Sequence, residues 1–330
     1  LDIKMPNLSG MDLLRGIMVV GGGSVQHIAS RAELYKGDPE GDGRNTALNA
    51  AAYVQLDAQV LERLHVNAGA RYESFSVNGN AESTPVFRGG AVYRVGGSTY
   101  LRGSYGQGFR FPTIGERYIR TSVGMLNIYP NAELRPERGT NLEFGLKQGF
   151  RFGRFQGYVD MAWYEQRYED YVEFTFGVWE QPTLQNLLGL GFRSVNTGGA
   201  RITGGEVAVA ASGPIGQVQV DVLLGWNRSL PVSTTPHEVY ANSNAFGSSA
   251  SYTYANTSSD TTDHILKFRV QETVRADVQA RWRRFSLGGS VRYNSHVRNI
   301  DKVTEASVSL RFDQTDSLSL LGPDTGGPGD

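Results

Sequence analysis

The feature that most constrains this chain is a period-two alternation of apolar and polar side chains, clearest between Tyr100 and Phe150. On a first arm Leu101, Gly103 and Tyr105 alternate with Arg102, Ser104 and Gly106. On a second, Leu142, Phe144 and Leu146 alternate with Asn141, Glu143 and Lys147. Successive side chains of a strand point to opposite faces, so this pattern writes a sheet with two unlike surfaces. Proline cannot donate to a ladder, so the first arm stops at Phe111-Pro112 and the second opens after Pro136-Glu137.

The same alternation recurs along the chain. Val66, Ala68, Ala70 and Tyr72 interleave with Asn67, Gly69, Arg71 and Glu73; Phe155 to Trp163 and Val218 to Trp226 repeat it. The longest run sets Leu266, Phe268, Val270, Val274, Ala276, Val278 and Trp282 against Lys267, Arg269, Gln271, Arg275, Asp277, Gln279 and Arg281. Phe285, Leu287, Val291 and Tyr293 then face away from Ser286, Ser290 and Arg292. About a dozen such segments are present, many as long as the roughly 9–11 residues that cross a bilayer at a tilt. Their connectors alternate in length. Short turns are expected at 61–64, 95–98, 150–153, 212–216 and 282–284, and long ones at 35–45, 111–136, 176–193 and 231–263. The 77–85 stretch reads as an intermediate connector where a long loop is due. Tight turns on one side and long loops on the other mark an outer-membrane barrel.

Composition narrows the classes. The 330 residues carry a formal net charge of -1, no Cys, 41 Gly, 16 Tyr and 15 Phe. A nucleic-acid partner would ask for a basic surface, and the lack of Cys excludes a disulfide scaffold or thiolate metal site. No apolar run approaches the ~20 residues of a membrane helix. A soluble antiparallel sheet would explain the alternation too, but its apolar face would need a covering layer, and no helical segment offers one. Trp163, Tyr164 and Tyr168, and Trp282 with Phe285 beside a short turn, are candidates for two aromatic girdles.

Chemistry-bearing motifs are scarce. His27, His65, His237, His264 and His296 show no ligand spacing, although His237 and His264 bracket one long loop. There is no nucleophile elbow or phosphate loop, and Gly21-Gly22-Gly23 lies in or beside a strand, where glycine marks a bend more often than a cradle. No catalytic residue, metal or cofactor is expected. The charges Arg71, Glu73, Arg102, Glu143, Lys147, Lys267, Arg269, Arg275 and Arg281 fall on the polar phase and must meet water, one another or a polar surface.

The run Gly108-Phe109-Arg110-Phe111-Pro112-Thr113, then Glu116-Arg117-Tyr118, then Pro130-Asn131-Ala132-Glu133-Leu134-Arg135-Pro136-Glu137, then Glu143-Phe144-Gly145 resembles the barrel signature of TonB-dependent outer-membrane receptors. That pattern is usually Phe-Arg-Ala-Pro-Thr with Glu-Leu-Tyr, then Asn-Pro-x-Leu-x-Pro-Glu and Glu-x-Gly. The chain departs from it at Phe111, Arg117 and Ala132. The resemblance implies an all-β, antiparallel transmembrane barrel, here a partial one of roughly a dozen of the family's 22 strands, over residues 17–312. It implies a lumen filled by a plug that these polar-phase charges would meet, the plug itself lying outside this chain. It further implies energy-coupled uptake of a scarce nutrient across the outer membrane of a Gram-negative bacterium, with a ferric siderophore or similar iron chelate first among ligands. Its partners would be the TonB–ExbB–ExbD complex, the small-molecule ligand and membrane lipid. Loop aromatics and arginine suit such a ligand, which makes Tyr118, Arg120, Tyr129, Trp179 and Tyr240, with Tyr252 and Tyr254, candidate contacts. A complete smaller barrel acting as a passive channel or barrel enzyme is the alternative.

The ends read differently. Residues 1–14 resemble a fragment of a response-regulator receiver domain, with Asp2-Ile3-Lys4-Met5-Pro6 and Gly10 in place, and too little chain follows for such a domain, so an artificial join or a chance match in a short segment is expected over 1–16. The start at Leu1 lacks a leader sequence and suggests a fragment; the tail 313–330 is polar and rich in Gly and Pro.

Overall fold

A computed structural model describes residues 16–36, 41–123, 126–181, 189–243 and 250–302. The receiver-like stretch and the tail lie outside these residues. The main body is one antiparallel sheet of eleven strands: β1 (Gly16–Arg31), β2 (Arg44–Leu61), β3 (Leu64–Val77), β4 (Asn80–Arg94), β5 (Thr99–Arg110), β8 (Glu137–Phe152), β9 (Phe155–Glu169), β12 (Ala200–Ile215), β13 (Val218–Ser233), β16 (Glu272–Trp282) and β17 (Phe285–Asn294), each beside the next in that order. All five expected short turns join neighbours at one end of this sheet, and the long connectors lie at the other.

Most strands carry most of their large apolar residues on one face. Cross-strand partners run Leu101–Leu146–Met161–Val207–Trp226–Val274–Tyr293 across seven strands, with every residue on the same side. Counted from the short turns, the apolar spans Leu64–Tyr72, Phe155–Trp163, Val218–Trp226, Val274–Trp282 and Phe285–Tyr293 all match the length needed to cross a bilayer at a tilt. The face is bare: Phe152, Leu287 and Val291 are 84%, 79% and 70% exposed. Trp163 lies against Phe144 at one rim of this band, and Trp282 against Phe285 at the other. Tyr164 and Tyr168 do not join them. Tyr164 belongs to the opposite, polar face, where Asn227 donates to its hydroxyl, and Tyr168 packs on Tyr171 in the loop layer.

Two connectors differ from expectation. The 77–85 stretch is not a loop: β3 and β4 run on to a tight turn at Asn78-Gly79, with φ of 50° and 82°. That pair of positive φ values is the hairpin turn an Asn-Gly dipeptide favours. The alternation from Leu266 to Trp282 is not one strand either, because β16 starts at Glu272. His264 and Phe268 have φ of 53° and 55°, and Ile265, Leu266 and Lys267 are all buried, whereas a strand would turn alternate side chains away.

The long connectors fold over the sheet's far end as a cap. It contains a four-stranded sheet, in the order β10 (Val172–Val178), β11 (Leu190–Asn196), β7 (Leu126–Tyr129) and β6 (Thr121–Val123), and a hairpin of β14 (Val239–Ser243) with β15 (Ala250–Thr253). Two short helices, α1 (Ile114–Tyr118) and α2 (Tyr254–Thr257), each begin with a capping box, Thr113 with Glu116 and Thr253 with Asn256. The cap holds two small cores, Val77–Phe111–Ile114–Tyr118 and Ala200–Tyr254–Leu266.

Candidate functional site

Three groups of residues carry the site, beginning with charges on the polar face of the sheet. Arg102 on β5 bonds Glu143 on β8 at 3.0 Å and Asp160 on β9, and Lys147 sits 3.9 Å from the centre of the Tyr158 ring. Gly145 makes room for this. A Cβ there would come within 2.6 Å of the Arg102 guanidinium, which lies flat across the glycine to reach Asp160. Arg71 pairs with Glu73 and stands over the Tyr53 ring, while Arg275 pairs with Asp277 at 2.6 Å and Arg281 with Asp221 at 2.6 Å. The acids Asp160 and Asp221 were missed as partners in the sequence although they share the polar phase. Alternation assigns a face, not a neighbour.

Lys267 and Arg269, expected beside these charges, are elsewhere. Lys267 lies in the cap at 3% side-chain exposure, donating to Asp301 at 2.8 Å and to Thr257 at 2.9 Å, and Arg269 donates to the Tyr171 hydroxyl at 2.8 Å.

The signature residues form a clamp between sheet and cap. Arg110, at the end of β5, donates to Glu137 at the start of β8 and to both oxygens of Glu116 at 2.7 and 2.9 Å. The other oxygen of Glu137 accepts the Val172 amide at 2.6 Å, which ties β10 to the same point. Burial on its own would raise the Glu116 carboxyl, but the Thr113 amide and Arg110 hold it below the usual carboxylate range. Asn131 donates to the Ser194 carbonyl, Leu134 is 2% exposed, and Asn196 both accepts from the Arg135 amide and donates to its carbonyl. Phe109 packs against the first cap core with Phe75, and Pro112 is fully buried.

The three departures from the family pattern meet one another. The Arg117 side chain donates to the carbonyl of Ala132 through Nε at 3.1 Å and also through a terminal nitrogen. Its guanidinium lies 5.5 Å from the centre of the Phe111 ring. A buried arginine held by one backbone oxygen and the Phe111 and Tyr118 rings, with Nη1 left without a hydrogen-bond partner, replaces the apolar contact that leucine would make.

The expected ligand contacts separate under burial. Tyr118 is 0% and Tyr129 4% exposed, so both are core residues and neither presents a surface to a ligand; Tyr254 is likewise buried at 1%. Arg120 is exposed and paired with Glu180 at 2.7 Å. Trp179 is half-buried, donates to the Gly191 carbonyl, meets Tyr252 edge to face at 5.5 Å and has Arg193 over its ring. Tyr240 is half-buried beside Tyr252, and burial pushes its hydroxyl up to about 12. Of the expected contacts, Arg120, Trp179, Tyr240 and Tyr252 are therefore the ones that keep exposed surface. The His237 and His264 rings meet edge to face at 5.5 Å, and no group of three metal-ligating side chains converges among the described residues.

Within the cap lies a polar cluster that the sequence did not announce. Glu173, Thr175, Tyr240, Tyr254, Thr257, Lys267 and Asp301 come together from three connectors, with the Tyr254 hydroxyl donating to Glu173 at 3.4 Å and accepting the Lys267 amide at 2.6 Å. Burial pushes the Glu173 carboxyl up to about 7, although Lys267 and Arg269 pull the other way.

The comparisons with known proteins agree with this geometry. The family described as "TonB dependent receptor-like, beta-barrel" matches residues 21–320. The chain belongs to the TonB-dependent receptor family. The match continues past the expected end of the barrel portion at residue 312. Among solved structures, the siderophore receptor PirA from Pseudomonas aeruginosa is similar at a TM-score of 0.60 and 10% identity, over 87% of this chain and 46% of that one. The copper transporter OprC is similar at 0.57 and 18% identity, over 84% and 40%. The hemophore receptor HasR of Serratia marcescens is similar at 0.54 and 16% identity, over 86% and 53%. The chain thus spans about half or less of the length of these structures. No curated protein sequence matches it. As a TonB-dependent receptor it is an outer-membrane protein of a Gram-negative bacterium, and its family comprises receptors and transporters rather than enzymes.

Proposed function

We propose that this TonB-dependent receptor imports a scarce nutrient held as an iron chelate, most simply a ferric siderophore. The observation that carries the reading is the division of the molecule. An eleven-stranded sheet with one bare apolar face and one face of paired charges is closed at one end by tight turns. At the other end a folded cap is fastened through Arg110, Glu116 and Glu137. The apolar face meets lipid and the polar face lines the lumen, where Arg71, Glu73, Arg102, Glu143, Lys147, Arg275 and Arg281 touch water or a plug domain. The cap binds the ligand through Trp179, Tyr240 and Arg120, aromatic and cationic groups that suit a ring-bearing, anionic chelate. Energy comes from TonB with ExbB and ExbD. Similar folds whose names specify iron, a siderophore or heme support the iron reading, and the copper transporter among them marks the competing cargo.

Uptake by cells expressing the full-length receptor tests this. Labelled ferric siderophores, heme, cobalamin and copper are supplied in turn, with and without TonB. TonB-dependent accumulation of an iron chelate is expected, and accumulation of copper or cobalamin alone would overturn the iron reading.

A further inference from the structure

Two cations are buried among the described residues, Lys267 and Arg117, and their surroundings differ. Lys267 meets the Asp301 carboxylate at 2.8 Å. Arg117, at 6% exposure, forms no ion pair with any described residue. The two carboxylates of the clamp, Glu116 and Glu137, are both engaged by Arg110, although that side chain is 43% exposed. What Arg117 does have is partial charge. Its Nε and one terminal nitrogen share the Ala132 carbonyl, and its guanidinium carbon lies 5.5 and 5.8 Å from the centres of the Phe111 and Tyr118 rings. It also stands in the last turn of α1, but a helix of five residues has little dipole to offer. None of these is a counter-ion, and a full charge taken out of water without one is costly.

The remaining donors mark where a counter-ion fits. Arg117 Nη1 is buried with no hydrogen-bond partner, and so is the hydroxyl of Tyr118, a residue with 0% exposure. They belong to successive residues of one short helix. Buried side-chain polar atoms are met in the large majority of cases, so two unmet on neighbouring residues ask for a partner from outside the chain. The surroundings narrow its chemistry. Phe111 and Tyr118, which flank the guanidinium, belong with Val77 and Ile114 to the first cap core. A carboxylate carried on a peptide or a sugar could not enter without unpacking that core, so the partner is a small free ion. One guanidinium asks for one negative charge.

We infer that Arg117 and Tyr118 form a site for a small monovalent anion of halide size, to which Arg117 Nη1 and the Tyr118 hydroxyl donate. The ion supplies the missing counter-charge and fastens the connector between β5 and β8. Leucine, which the family pattern places at this position, would need no such ion. The site is therefore tied to the departures at Phe111, Arg117 and Ala132 and belongs to this chain rather than to the fold.

The test uses the full-length receptor in nanodiscs. Hydrogen exchange of α1 and of residues 127–134 is followed at fixed pH and ionic strength while chloride or bromide replaces gluconate. Local opening releases the ion, so protection should rise about tenfold when the anion stands at about nine times its Kd, with β13 unchanged. Arg117→Leu should lose the response, and Arg117→Lys should keep part of it. Bromide-soaked crystals of the wild type give a second reading that depends on no variant folding: an anomalous peak is expected within hydrogen-bonding distance of Arg117 Nη1. Protection that ignores the anion overturns the inference, even with a peak, which would then be an adventitious ion only. Density at Nη1 without anomalous signal is a water and overturns it too, as does a response that persists in Arg117→Leu.

Discussion

In the sheet, large apolar side chains stand almost naked, with Phe152 at 84% and Val25 at 76% exposure, while in the cap Tyr118, Tyr254, Ile265 and Leu266 are exposed by 1% or less. Charges show the opposite trend. On the sheet's polar face the partners of Arg102 keep 24–33% side-chain exposure, whereas Lys267 and Asp301 in the cap keep 3% each. One region is built for a solvent of hydrocarbon outside and polar matter inside. The other is built, like a small soluble domain, around its own interior. A substitution of the same kind should therefore have different consequences in the two regions.

The largest expected effect is in the cap. Lys267→Met strands Asp301 without its counter-charge in a dry environment and should cost about 3–5 kcal/mol. Hydrogen exchange would show protection lost in β10, β14 and residues 264–271 and 295–302 while β3, β9 and β13 keep theirs; equal loss in the sheet would show that the two regions are one cooperative unit. Next comes the sheet's apolar face. Val222→Arg lies midway along the Val218–Trp226 span and should cost about 2–4 kcal/mol of barrel stability in a bilayer. Leu223→Arg, one residue on and facing the other way, should cost far less, and equal costs would mean that the faces have been assigned wrongly.

The third effect depends on pH. The Glu173 carboxyl is raised from 4.5 to about 7 in the folded cap, so folding favours its protonated form. Its stabilisation is complete below about pH 4.5 and is lost as pH rises through 7, a change of about 3 kcal/mol. Proteolysis of the cap should be faster at pH 8 than at pH 5.5, and Glu173→Gln should flatten that difference. Smallest is Thr113→Ala, which removes the α1 cap. A loss of about 1 kcal/mol is expected, read as a lower thermal midpoint for the cap alone.

The two regions also differ in how much of them could be read from the sequence. Sheet, short turns and faces follow from alternation, because lipid on one side and polar matter on the other impose it on every strand. Where strands leave the membrane that pressure ends, so Asn80–Pro85, polar on both faces, looked like a loop despite the Asn78-Gly79 turn signal beside it. Arg102 reaches Glu143 and Asp160, 41 and 58 residues away, through a register that only the assembled sheet sets. In the cap, contacts such as Glu173–Tyr254 and Thr175–Asp301 join separate connectors without any local period to announce them. The misreading of Leu266–Val270 as strand has the same origin: a chance alternation in a segment whose fold is decided by tertiary burial.

Arg117, Phe111 and Ala132 bear on how receptors of this kind can be recombined. These three positions are spread over one connector between β5 and β8, yet they share one guanidinium. Restoring leucine at 117 alone removes the donor that holds the Ala132 carbonyl, and restoring alanine at 111 alone uncovers the arginine's flank. A chimera that exchanges only part of this loop with a relative's must still move all three together. The signature, so often treated as a string, behaves here as a lock with three tumblers.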